Sequence, residues 1–445
     1  MLAAMPTPPS AASREKPVIR DRGDACPGAL RLHAADDGFL ARVRIPAGLL
    51  TAPQAEALAL AADRFGDGHL EITSRGNVQL RGLAEDCGAG PAELLDAAGL
   101  LPAPAHERVR NIVATPMSGL EGPHRPDALA WALAFDRLLC ASAGATALSG
   151  RFLFAFDDGR GDVAALGPDV TVLGRPDGRA LVRLGGAADA VDVAAPDAPR
   201  AALLAAAYFL DTATAAGTRA WRVSELPPEH PLRAAELARR LRAAGIEAVD
   251  ADTPTWPYAP PPAPAGPDAD GLGALCVLPP LGRASTAQWR VLVEIAEQGR
   301  GELRVTPWRG VVLPPGDAPW PAASVTARIE DAALVLTPDG PWQSVTACTG
   351  RPGCAKSLAD VRADARAVVD RARGPLPVHW SGCERRCGHP RGTAWVDLVA
   401  GPTGYRLAAP GRPARHHVPD TPTELAAALA DARSTPPAPD PAVKK

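Results

Sequence analysis

The chain has 445 residues, 46% hydrophobic and 22% charged, with 47 Lys and Arg against 50 Asp and Glu. That length predicts roughly two to four domains and allows sizeable cores. Near-balanced charge and only 4% aromatic residues argue against a nucleic-acid surface or a single-strand stacking platform as the main activity.

In chain order, the opening MLAAMPTPPSAASREKP lacks the basic and apolar regions of a secretory signal. Residues 1–24 are expected to form a disordered leader. The longest apolar helical run, 201–210, stops at Asp211 and is too short to span a bilayer. A soluble, cytoplasmic protein without nucleic-acid or membrane partners is the expectation.

A distant internal repeat follows. Arg42-Val-Arg-Ile-Pro-Ala-Gly48, a helical stretch and GHLEITSRGNVQL are matched by Cys276-Val-Leu-Pro-Pro-Leu-Gly282, a helical stretch and GELRVTPWRGVVL. Pro46 and Gly48 pair with Pro280 and Gly282 at an offset of 234, and Gly68, Thr73 and Leu80 with Gly301, Thr306 and Leu313 at 233. Each unit reads strand, helix, strand, strand, and the ordered matches favour duplication over chance. Val43 and Ile45 alternate with Arg42 and Arg44, the period of a half-buried strand. The first helix should start after Thr51 with Pro53 in its first turn. The second should start at Ser285, with Gln288 completing a capping box. The repeats are assigned to 25–88 and 271–316.

A mixed segment follows each repeat. The first, 106–253, predicts a helix after Pro126, strands near 152–156 and 170–173, and helices near 198–216 and 231–244, the last bounded by Pro231 and Gly245. Residues 254–270 are a Pro-rich linker. The second mixed segment, 341–433, ends in a helix with Thr421 and Glu424 as a capping box, and 434–445 is expected to be a mobile tail.

Four of the eight cysteines fall within that second segment, as Cys348-x5-Cys354 and Cys383-x3-Cys387. In a reducing compartment, clustered cysteines lean towards metal. Four thiolates can complete a [4Fe–4S] cube. Structural zinc prefers tighter knuckles in both pairs, and free core cysteines are the blander reading. Cys354 is expected just before a helix capped by Ser357, with Asp360 three residues on, whose N-terminus would favour an anionic cluster. Cys383 and Cys387 are expected in the turn after a strand at 376–380. Arg75, Asn77, Gln79 and Arg81 share one face of a predicted strand, either a ligand platform or a solvated edge. No G-x-G-x-x-G follows a predicted strand and no Walker A occurs.

The cysteine spacing, the two repeats and TSRGNVQLRG resemble the siroheme-dependent sulfite and nitrite reductase superfamily over about residues 25–405. Within it, Cys26-Pro-Gly-Ala-Leu30, Pro279-Pro-Leu-Gly-Arg283, Thr306-Pro-Trp-Arg-Gly310 and Ser381-Gly-Cys-Glu-Arg-Arg-Cys-Gly-His-Pro390 are most similar to the precorrin-3B synthases of aerobic cobalamin synthesis. The resemblance implies an α+β fold. Duplicated ferredoxin-like half-domains and two mixed α/β sulfite-reductase-like domains would be related by a pseudo-two-fold. It implies a monooxygenase that hydroxylates precorrin-3A with dioxygen and closes a γ-lactone; the alternative is an assimilatory sulfite or nitrite reductase with bound siroheme. Implied cofactors are a [4Fe–4S] cluster on Cys348, Cys354, Cys383 and Cys387 and a mononuclear non-haem iron, for which His389 is a candidate ligand. The implied electron donor is a separate NAD(P)H-dependent reductase or ferredoxin.

A precorrin carries many carboxylates, which guanidinium forks pair with bidentately. The resemblance therefore assigns Arg75, Asn77, Gln79 and Arg81 to substrate binding. It adds Arg110 of an Arg-Asn motif, Arg151 in the place of an oxyanion-binding lysine, and Arg309 of the second repeat. Leu153 stands where sulfite reductases place a second lysine, a departure that disfavours a small dianion. Trp308 is expected to pack, and His416 and His417 to face solvent.

Overall fold

A computed structural model describes residues 27–85, 87, 89–121, 125–251, 257–268, 273–338, 340–390 and 393–434. The expected leader, Cys26, parts of the linker and the tail beyond Ser434 lie outside them.

Thr51 and Ser285 each cap a helix in the same way. Their hydroxyls accept from the amides of Gln54 and Gln288, whose side chains accept in return from the cap amides, starting Ala52–Phe65 and Thr286–Gln298. Just before each cap the chain makes an identical tight turn, at Pro46–Gly48 and Pro280–Gly282. There Ala47 and Leu281 take φ of 58° and 59°. Two non-glycine residues in the left-handed region at equivalent positions are a conformation that each unit reproduces at a cost.

The two units are interlocked. The short strand Leu49–Thr51 of the first pairs with Glu302–Val305 of the second, while Arg283–Ser285 of the second pairs with His69–Ile72 of the first. Each unit thus lends a strand to the other's sheet, giving a five-stranded and a four-stranded antiparallel sheet. The bonds flanking the exchange repeat too: Ala52 N donates to Gly301 O and Thr286 N to Gly68 O. Contacts between equivalent residues mark the pseudo-two-fold axis itself. Trp289 Nε1 donates to Ala55 O at 2.9 Å and Arg290 Nε to Glu56 at 2.9 Å, both 234 residues apart. A single apolar core, including Leu50, Leu58, Trp289, Leu292 and Val305, serves both units.

The two mixed domains share a design. In the first, strands Ile112–Ala114, Phe154–Asp157 and Val170–Gly174 run parallel before the sheet turns antiparallel; in the second, Val345–Ala347, Val378–Ser381 and Val396–Gly401 do the same. Each left-handed turn plugs one of them: Ala47 packs into the core of the first and Leu281 into that of the second.

Several local expectations shift. The helix expected at 231–244 is Ala234–Ala243, with Pro231 outside it, because Asp189 takes the first helical amide, of Ala234, at 3.1 Å. Thr421 and Glu424 bond side chain to side chain instead of forming the reciprocal box. The described part of the linker is no free tether. Ala265 exchanges both backbone hydrogen bonds with Cys276, and a Cβ on Gly161 would fall 1.7 Å from Pro257 O. Among the described residues, no helix is long and apolar enough to cross a membrane.

Trp289 is fully buried on the axis. Trp289→Ala is expected to cost about 3–5 kcal/mol of unfolding free energy in urea titration, and Trp289→Phe clearly less. A loss below about 1 kcal/mol for the alanine variant would contradict a shared core.

Candidate functional site

Cys348 follows strand Val345–Ala347, and its amide donates to Trp380 O at 2.9 Å. Its Sγ accepts from Gly382 N at 3.1 Å. Cys383 and Cys387 lie in the turn after Val378–Ser381, slightly later than the expected 376–380. Burial pushes the Cys387 thiol up, and Cys348, Cys383 and Cys354 push it further, so the other three cysteines all lie within electrostatic reach of Cys387. Among the described residues, no three His, Cys, Asp or Glu side chains are placed to share one metal ion. A cube takes one thiolate per iron, so its ligands stand apart rather than converge on a point. Donor chemistry and the amide aimed at sulfur therefore fit a [4Fe–4S] cluster.

The expected helix at Ser357 is corrected. Asp360 caps Val361–Val368 by accepting from Ala363 N, while the Ser357 hydroxyl donates to Ala359 O at 2.7 Å. Its hydroxyl is spent locally, and the helix begins at Val361 instead. His379 is fully buried between Thr346 Oγ1 at 2.8 Å and Cys387 O at 3.1 Å and steadies the last cysteine's loop.

The polar strand face is buried rather than a solvated edge, and it clamps this loop. Arg81 donates twice to Asp37, at 2.8 and 2.7 Å, and once to Gly353 O at 2.8 Å, beside Cys354. Asp36 accepts from Ala355 N on the other side of Cys354. Gln79 bonds Glu71 and Arg42. Glu71 in turn accepts from Arg362 at 2.7 Å, and Arg362 reaches Cys348 O at 3.3 Å. Burial works against the Glu71 charge, yet Arg362, Arg81 and Arg283 hold its carboxyl below the usual range. Asn77 accepts from Ile45 N and donates to Asn111. Asn77, Gln79 and Arg81, expected at the substrate, here join the first repeat to its surroundings through their polar groups. Arg110, also expected at the substrate, is buried in a bidentate pair with Asp136 at 2.8 and 2.7 Å. Arg151 stacks over Trp221 at 5.5 Å, outside the main cavity wall.

A cavity of about 470 Å³ lies where both repeats, both mixed domains and the linker meet. Arg75 and Arg309 line it, as do Leu153, Trp308, Tyr258, Asp162 and His389. Arg75 reaches Gly150 O at 3.5 Å. Arg309 is 8% exposed; its Nη2 donates to Gly388 O at 2.9 Å in the cysteine loop, and its Nη1 has no partner. Burial, then the Arg362 charge, pull its pKa down to about 10. His389 stacks on Trp395, with Nδ1 2.7 Å from Pro390 O. Among the described residues, His389 belongs to no group of three or more His, Cys, Asp or Glu placed to hold a metal ion.

The family description "Nitrite/Sulfite reductase ferredoxin-like half domain" matches residues 32–87 and 265–317, the two interlocked units. A precorrin-3B synthase from Sinorhizobium sp is 27% identical over 413 residues, covering 88% of this chain and 84% of that protein. The chain is thus similar to nitrite and sulfite reductases in its two half domains and to a precorrin-3B synthase over most of its length. The ferredoxin–nitrite reductase of Synechococcus elongatus is 28% identical over 391 residues, 79% of this chain and 74% of the reductase. The Mycobacterium tuberculosis NirA protein has a similar fold, with a TM-score of 0.64 at 19% identity over 85% of this chain and 76% of its own.

Asp162 was missed in the sequence, although three aspartates in FDDGRGD after a strand were a visible signal. It is 2% exposed, accepts from Thr115 Oγ1 at 2.8 Å and Val163 N at 2.6 Å through Oδ1, and leaves Oδ2 without a partner. Burial, then Asp157, push its carboxyl up to about 7. Folding therefore favours the protonated acid. Its stabilising contribution is complete below the ordinary aspartate pKa and is lost as pH rises towards 7. Asp162→Asn keeps the Oδ1 acceptor. It should gain roughly 1–3 kcal/mol over wild type at pH 8 and much less at pH 4, by urea titration. Arg81→Ala should strand Asp37 and cost about 2–4 kcal/mol. It should also raise hydrogen exchange in 348–357.

Proposed function

We propose that this chain is a precorrin-3B synthase, a dioxygen-dependent monooxygenase that hydroxylates precorrin-3A and closes a γ-lactone. The observation that carries the reading is Arg309: a guanidinium locked by Gly388 beside the cysteine loop, with one nitrogen unpartnered on a cavity wall. A carboxylated tetrapyrrole supplies the missing acceptor. Arg75 brings a second cation to the same wall. Leu153, Trp308 and Tyr258 make much of the remainder apolar, which suits a macrocycle better than a small hydrated dianion. The near full-length likeness to the Sinorhizobium synthase supports the same reading.

Cys348, Cys354, Cys383 and Cys387 would hold a [4Fe–4S] cluster, which supplies single-electron transfer when bound. Gly382 steadies the first sulfur, and the Arg81 and Glu71 clamps fix the loop around it. A separate reductase or ferredoxin would provide the electrons. The reductase likeness keeps siroheme-dependent nitrite or sulfite reduction as the competing reading.

Protein purified anaerobically from cells producing siroheme separates the two. Broad iron–sulfur absorbance without a siroheme band is expected, and Cys383→Ser should lose it. A stoichiometric siroheme band would overturn the proposal. Arg309→Gln should weaken uroporphyrin III binding about tenfold to hundredfold, as befits one charge-assisted hydrogen bond; unchanged affinity would contradict the anchor.

A further inference from the structure

Asp162 has no task in the fold that its Oδ1 does not already perform. That oxygen takes both Thr115 and Val163, whereas Oδ2 is buried without a partner in a residue of the cavity wall. A buried polar atom left unsatisfied costs free energy and calls for an explanation. Its surroundings make the acid form the favourable one. Asp157 presses on it from the same loop, engaged by the amides of Gly159, Gly161 and Ala164. Arg160, the nearby cation, is spent on Asp158 and Glu121. The linker covers the loop at Gly161, where Pro257 O leaves no room for a side chain.

We propose that Asp162 is a catalytic acid of the cavity, touching the bound tetrapyrrole–dioxygen site through Oδ2 and delivering a proton there. This rests on the monooxygenase reading. In that reaction one atom of dioxygen enters the substrate and the other leaves as water. The separate donor gives two electrons, and two protons are consumed. Asp162 gives one of those protons to the departing oxygen and is reprotonated from solvent. Arg309 and Asp162 then divide the work: one unpartnered nitrogen holds a carboxylate, and one unpartnered oxygen carries a proton.

The test uses the full-length, cluster-loaded chain and uroporphyrin III as a stable polycarboxylate probe. Calorimetry at pH 8, in two buffers of different ionisation heat, reads the protons taken up on binding. Wild type should take up roughly half to one proton more than Asp162→Asn, because an anionic ligand favours the neutral acid. The variant should bind more tightly than wild type at pH 8, since Oδ1 keeps its role and no proton need be taken up. Thr115→Val removes a bond that favours the ionised form, so its pH–turnover profile should fall at higher pH than that of wild type. Asp162→Asn should show no such limb. Equal proton uptake by wild type and Asp162→Asn overturns the role of Asp162 alone. Failure of wild type to bind the probe overturns the tetrapyrrole reading and this inference with it.

Discussion

The reciprocal exchange of two three-residue strands is the constraint on which the rest depends. Neither repeat completes its sheet or core without the other. A strand edge left open would expose unpaired backbone groups; here each edge is closed by the opposite unit. The same exchange fixes the two left-handed turns, and those turns seat both mixed domains. The cavity is therefore built by the pseudo-two-fold arrangement, not carved into one domain. Its walls come from every part of the chain at once.

The pseudo-symmetry is broken where chemistry is needed. Glu71 and Arg304 occupy matching strand positions and both reach into the opposite mixed domain. Arg304 holds the carbonyls of Pro116 and Ser118, while Glu71 holds Arg362 beside Cys348. One half thus became a purely structural contact, and the other became support for four cysteines. The arginines divide in the same way. Arg81 and Arg110 are filled by aspartates and act as struts. Arg309 retains an unpartnered nitrogen in an apolar wall, where a charge-assisted bond is strongest.

Much of the fold was legible in the sequence because its signals are local. Both capped helices, the repeat and its one-residue shift, and several strands of the mixed domains follow from caps, periodicity and punctuation. The strand exchange was not legible, since three-residue strands carry no period. Ser357 and Thr421 misled for one reason: a serine or threonine followed by an acidic residue can bond locally without capping a helix. At the site, Gln79 and Arg81 lie on the strand as expected, whereas Arg75 lies in the turn before it, and the partners of this face were not visible. Gly353 lies 272 residues from Arg81 and Arg362 lies 291 from Glu71. Asp162 escaped for the opposite reason, being in plain view but unremarkable until its burial was known.

The central claim is that this scaffold places an anionic tetrapyrrole beside an iron–sulfur relay for oxygen insertion. Turnover of precorrin-3A under ¹⁸O-labelled dioxygen, with reductant and cluster-loaded protein, tests it most directly by product mass. One labelled oxygen atom in the product, absent when the gas is excluded, is the predicted result. Unaltered substrate, together with reduction of nitrite or sulfite by the same preparation, would contradict it.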